Sequence, residues 1–95
     1  MAAYVVVEIE VTDPVRYEDY KRMAETSIAE FGGRYVVRGG PVETLEGDWH
    51  PARFVMLEFA NAERAKEWWA SELYRPGKEL RQATARSRMI LVRGV

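Results

Sequence analysis

Arg38 stands immediately before Gly39-Gly40, at the end of a short run rich in β-branched residues. A backbone bend there would present its planar fork of donors to a carboxylate or enolate oxygen. An ion pair with Glu8 or Glu58 would occupy it equally well. Glu58, near the end of the apolar run Arg53 to Phe59, is the carboxylate best placed for proton abstraction if burial raises its pKa, and otherwise a partner for Arg38 or Arg93. His50 is the only histidine and lies in the turn Trp49-His50-Pro51. A histidine is the usual general base near neutral pH, although an exposed turn histidine needs no such role. Tyr74 and Arg81 bracket Pro76-Gly77. If the chain folds back between them, both reach one cavity edge, the tyrosine as hydrogen-bond donor and the arginine as anion anchor. Their alternative role is to pin a short helix to the domain. Arg38, Glu58, Tyr74, Arg81 and His50 form the candidate catalytic set. Trp49, beside the histidine, either covers a ligand opening or wedges into a second subunit, where tryptophan is a favoured anchor.

Other chemistries find no residues to carry them. The chain has no cysteine, so it offers no thiolate nucleophile and no cysteine-ligated metal. With one histidine and no acidic cluster at ligand spacing, no metal site is expected. Neither a glycine-rich phosphate loop, a serine nucleophile motif nor an HExxH helix is present, so no cofactor is expected either. Fourteen basic residues face fifteen acidic ones for a formal net charge of -1, which argues against a nucleic-acid partner. No uncharged stretch approaches the roughly 18 apolar residues of a membrane span, and the N-terminus lacks a signal-peptide pattern. A cytoplasmic location is the default expectation.

The elements that must position these residues follow from periodicity. At 95 residues the chain is expected to be one domain, residues 1–95. Tyr4 to Val11 alternates with period two and reads as a strand. Asp13 and Pro14 suit the N-cap and first position of a helix, along which Tyr20, Met23, Ala24, Ile28 and Phe31 recur until Gly32-Gly33 ends it. Arg34 to Arg38 is a second strand that Val42 to Glu46 continues beyond a bend at Gly39-Gly40. Gly47 to Pro51 is a hairpin turn and Arg53 to Phe59 the return strand. Asn61 caps a second helix running through Trp68, Trp69 and Leu73, which Pro76-Gly77 breaks. Of the two adjacent tryptophans, about 100° apart on the helix, at least one should pack on the sheet. Lys78 to Arg86 is a short further helix, and Met89 to Val92 the closing strand. The order βαββαβ is an α+β, ferredoxin-like sandwich, a four-stranded antiparallel sheet with helices on one face.

That sheet has a second face. With Val5, Val7, Ile9, Val11, Val55, Leu57 and Phe59 under the helices, the opposite face carries Tyr4, Val6, Glu8, Glu10, Phe54, Met56 and Glu58. Continued parity adds Arg34, Val36, Arg38, Met89, Leu91 and Arg93 to it. Such a face is too apolar for water and too charged for a dry core. Packing against a second copy, an isologous homodimer, resolves both, with the charges paired at the rim or lining a cavity between the sheets.

The segment from Phe31-Gly32-Gly33-Arg34 through Arg38-Gly39-Gly40 also resembles a known family. The likeness continues through Leu45-Glu46-Gly47-Asp48-Trp49-His50-Pro51-Ala52-Arg53, Glu58-Phe59, Ala65, Trp68, Trp69, Tyr74, Arg81 and Val92-Arg93-Gly94. Over nearly the whole chain these residues are similar to the domain of unknown function DUF1330, within the dimeric α/β-barrel superfamily. The resemblance implies a ferredoxin-like subunit whose sheet packs on its twin into a barrel-like dimer. Tyr74 and Arg81 fall on recurring positions of the family. Where the family usually ends in an acidic residue before glycine, Arg93 stands here, so no acid is available at that position. The superfamily spans cofactor-independent monooxygenases, haem-handling enzymes, isomerases and ligand-binding modules, so the likeness implies no single activity. The expectation is a small cofactor-independent enzyme, monooxygenase- or isomerase-like, acting on a small anionic or aromatic metabolite. A non-catalytic ligand-binding dimer and a structural dimer without a pocket are the alternatives.

Overall fold

Alternating β-branched residues make Ala3–Val11 (β1) the central strand, with Val5, Val7 and Ile9 buried. A computed structural model describes all residues from Met1 to Val95. Helix α1 (Pro14–Glu30) starts where the sequence places it: the Asp13 side chain accepts from the Arg16 N–H at 3.2 Å, and Pro14 occupies the first turn. It ends in a paired motif, with the Gly32 N–H on the Ala29 carbonyl at 3.0 Å and the Gly33 N–H on that of Ile28 at 2.9 Å. Gly32 takes φ +74°, a conformation that costs glycine nothing. Strands β2 (Arg34–Arg38) and β3 (Arg53–Phe59) follow, then α2 (Ala62–Ala70), α3 (Arg75–Thr84) and β4 (Ala85–Arg93). The sheet order is β2-β3-β1-β4 with every neighbouring pair antiparallel, and the helices cover one face. No helix is long and apolar enough to cross a membrane.

Several boundaries differ from the sequence reading, including that of the third helix, which runs Arg75–Thr84 and not Lys78 to Arg86. Val42 to Glu46 does not extend β2, and Gly39 to Ala52 is an open connection in which Leu45 is 96% exposed. The second helix stops at Ala70 rather than at Pro76-Gly77. Ser71 turns the chain, donating its hydroxyl to the Trp68 carbonyl at 2.7 Å and accepting the Tyr74 N–H at 3.1 Å. Pro76 sits in the first turn of α3, where its missing N–H costs nothing, so it helps begin a helix instead of breaking one. The last strand begins at Ala85, directly after α3, and not at Met89.

These shifts correct the assignment of faces. Residues opposite one another in an antiparallel pair share a face. Val5 pairs Leu91, Val7 pairs Met89 and Ala3 pairs Arg93, so Met89, Leu91 and Arg93 lie on the helix side, with Met89 and Leu91 packed on the core. In β2 the register slips between Tyr35 and Val37, a bulge that leaves Val36 as an extra residue. Beyond it Val37 faces outward opposite Met56, and Arg38, opposite Val55, turns to the helix side. Of the outer-strand residues, Arg34 stands as expected on the open face, opposite Glu58, and Val36 is the unpaired residue of the bulge.

The open face is consequently ordered in rows. Val37, Met56, Val6 and Ile90 line up across all four strands. On one side of that apolar row lie Arg34, Glu58 and Tyr4; on the other lie Phe54, Glu8 and Arg88. Each charge there is paired within the chain: Arg34 with Glu58 at 2.7 Å, Arg88 with Glu8 at 2.6 Å and Arg86 with Glu10 at 3.5 Å.

Candidate functional site

The five candidate residues separate into three places. Arg38 lies on the helix side, its guanidinium 4.2 Å above the Tyr35 ring and ion-paired with Glu25 of α1. Glu58 lies on the open face, where it accepts from Arg34 Nε at 2.7 Å and from the Tyr4 hydroxyl at 3.1 Å. Those bonds, Arg34's first, hold its carboxyl below the usual range. It is therefore a poor proton acceptor, the reverse of what a base raised by burial requires, and its partner is Arg34 rather than Arg38 or Arg93. His50 projects from the open connection with its side chain 71% exposed, Nδ1 3.0 Å from the Thr44 hydroxyl and Nε2 3.5 Å from Asp48. Its neighbour Trp49 folds back onto the open face, donating to Glu8 at 2.6 Å and meeting Phe54 edge-on.

Tyr74 and Arg81 do meet. Tyr74 sits at the junction of α2 and α3, and Arg81 lies seven residues later on the same side of α3, two helical turns away. Arg81 is 5% exposed and Tyr74 1%. The Arg81 Nε lies 3.4 Å from the Tyr74 hydroxyl and its Nη1 bonds Ser87 of β4. The Tyr74 hydroxyl is in turn 3.0 Å from that of Tyr20 on α1. Burial, reinforced by Tyr74, pushes the Tyr20 hydroxyl far up, so it stays protonated. Trp68 stacks on Tyr74 with centroids 4.1 Å apart, and its ring N–H donates to Ser27 at 3.0 Å. The cluster is thus fixed from α1, α2, α3 and β4 together.

Arg81 also opens outward. It lines a groove of about 670 Å³ between α2, α3 and β4, walled by Trp69, Met89, Leu91, Ala65 and Val5. That volume is in the range of small-molecule sites, and the wall is mainly apolar. No carboxylate lines it or lies within ion-pairing distance of Arg81. A buried cation with only hydroxyl partners is an unusual arrangement, because such a charge normally keeps a counter-charge. The groove can accordingly take an anionic head at Arg81 and an apolar body along β4.

Tyr20, Ser87 and the wall residues of β4 were not singled out in the sequence. Tyr20 shows only as one member of the α1 stripe, Ser87 becomes visible only once the strand is known to start at Ala85, and sequence parity places Met89 and Leu91 on the opposite face.

The comparisons with known proteins agree with this fold. The model of the family described as domain of unknown function (DUF1330) matches residues 2–95. No curated protein matches the chain in sequence. Among solved structures, a protein of unknown function from Rhodopseudomonas palustris superposes with a TM-score of 0.81 at 20% identity, covering 99% of this chain and 82% of that one. A dimeric ferredoxin-like protein of unknown function from Jannaschia gives 0.74 at 12% identity, covering 99% and 100%. SnoaB, a cofactor-independent oxygenase from Streptomyces nogalater, gives 0.68 at 14% identity, covering 99% and 93%. At these identities the likeness establishes a shared fold.

Proposed function

We propose that this chain, which belongs to the DUF1330 family, is a homodimeric small-molecule-binding protein that holds an apolar-bodied carboxylate by Arg81. The observation that carries this reading is the buried Arg81, without a carboxylate partner, at the floor of the groove between α2, α3 and β4. A ligand carboxylate there gains a charge-assisted pair of hydrogen bonds and supplies the missing counter-charge. The apolar row Val37, Met56, Val6 and Ile90 is the surface for the second copy, and the dimeric relative from Jannaschia supports that assembly.

A second reading, a cofactor-independent enzyme, rests on the Tyr20–Tyr74 hydroxyl pair beside Arg81. In a bound aromatic or enolisable acid, Arg81 and Tyr74 would stabilise an oxyanion formed next to the carboxylate. SnoaB, of the same fold, is a cofactor-independent oxygenase. Of the other candidates, Arg38, Glu58 and His50 are proposed as structural or interface residues, because each already has a partner away from the groove.

Calorimetric titration with benzoate, phenylacetate and octanoate tests the reading against the corresponding amides. Carboxylates should bind and amides should not, and Arg81→Met should weaken the carboxylates about tenfold or more. Equal binding of acids and amides, or an unchanged affinity in Arg81→Met, would refute it. Oxygen consumption with the bound acids separates enzyme from binder.

A further inference from the structure

Arg81 is not the only arginine without a carboxylate. Among the others, only Arg53 and Arg93 lack one, and Arg93 ends β4 in the open. Arg53 is placed quite differently. It is the first residue of β3, opposite Ile9, and so on the helix side of the sheet. Its guanidinium leans over the Tyr17 ring, 5.8 Å from the centroid. It also closely approaches Gly39, where φ is +68° and a Cβ would collide with its Nη1. Its Nε is the one buried side-chain polar atom in the chain with no hydrogen-bond partner. A buried donor without a protein partner calls for a specific explanation, an ordered water or an ion among them.

A cavity of about 20 Å³ lies beside it, between α1 and the sheet, walled by Tyr17, Tyr20, Tyr35, Arg38 and Arg53 among apolar side chains. No carboxylate lines it. The remaining cations at the wall are already neutralised, Arg38 by Glu25 and Lys21 by Glu18. Tyr17 does not supply the balancing charge: burial pushes its hydroxyl up, although Arg53 pulls the other way. Arg53, with its one unpaired donor, therefore lines a space that takes no more than a single small occupant.

We propose that this cavity is a binding site for a halide-sized monovalent anion, held by Arg53 Nε beside Tyr17. The volume excludes phosphate, sulfate and the apolar-bodied acids of the groove. Arg81 does not line this cavity, although Trp68 and Met89 wall both it and the groove. An anion there neutralises Arg53 and ties the start of β3 to α1. It binds the folded chain alone and so stabilises it by mass action.

Crystals grown in bromide test this directly, and an anomalous peak within hydrogen-bonding reach of Arg53 Nε is expected. In solution, the unfolding temperature should rise by a few degrees as chloride replaces gluconate at fixed ionic strength. The rise should vanish in Arg53→Gln and persist in Arg93→Gln. A map with only water at Arg53 overturns the proposal, as does a chloride dependence unchanged in Arg53→Gln. If Arg53→Gln does not fold, the bromide map of the unaltered protein decides.

Discussion

The Arg81 Nε lies 3.4 Å from the hydroxyl of Tyr74, the N-cap of the same helix, α3. That contact joins a surface groove to the buried pair of tyrosine hydroxyls, and it sets what substitutions at either residue should do.

Arg81→Met is expected to leave the fold intact. It removes a charge with no carboxylate partner and substitutes an apolar chain of similar reach, which is often neutral or stabilising. The Ser87 hydroxyl and Tyr74 lose one bond each. Thermal unfolding should show a temperature within a few degrees of the parent, or higher. A collapse of stability would instead make Arg81 a structural strut.

Tyr74→Phe should cost about 1–2 kcal/mol in chemical denaturation, because the buried Tyr20 hydroxyl is left without its partner. Tyr20→Phe should cost a similar amount. The double variant should cost less than the sum, since neither hydroxyl is then stranded. Additive losses would show that the pair is not coupled.

Acid stability should depend on Glu8 and Glu58. Both carboxyls sit below their ordinary pKa, Glu8 through its bonds from Trp49 and Arg88, and Glu58 through those from Arg34 and Tyr4. A depressed carboxyl contributes stability above its unfolded pKa, about 4.3 for glutamate, and loses that contribution as the pH falls through the folded value. Denaturation midpoints should therefore fall below about pH 4.3, and less steeply in Glu58→Gln. An unchanged slope in that variant would remove Glu58 from the account.

Met56→Lys tests the assembly. Met56 stands in the middle of the apolar row, flanked by Val37 and Val6. The parent is expected to sediment as a dimer at micromolar concentration and the variant as a folded monomer. A parent that sediments as a monomer would leave the row without the proposed cover.

The sequence carries β1, α1 and β3 plainly, because Asp13-Pro14, Gly32-Gly33 and strict alternation mark them. It hides the break after Ala70, because Ser71 to Tyr74 contains neither glycine nor proline and the turn rests on the Ser71 hydroxyl. It also hides the start of β4, because Arg81 to Arg88 is rich in helix-compatible residues. The faces of Met89 and Arg38 are misplaced for the same kind of reason: each depends on a pairing register, not on a residue type. Of the site, the spacing of Tyr74 and Arg81 was visible, but the means of their meeting was not: one helix running through Pro76-Gly77 brings them together, with no fold-back there. That Arg81 and Arg53 lack carboxylates was not, since it follows from where every other acid folds.

The bulge at Val36 works as a phase marker for β2. Up to Tyr35 the strand is read in one frame, with Arg34 outward; after it the frame advances by one, and Arg38 turns to α1. Pairing the same five residues without the bulge would exchange Val37 and Arg38, placing a valine against Glu25 and an arginine among the apolar side chains of the open face, whereas deleting Val36 would leave both where they are. The slip in pairing, rather than the side chain of Val36, therefore sets which way Val37 and Arg38 face. A relative one residue shorter at this point should keep the same two faces on a straighter strand.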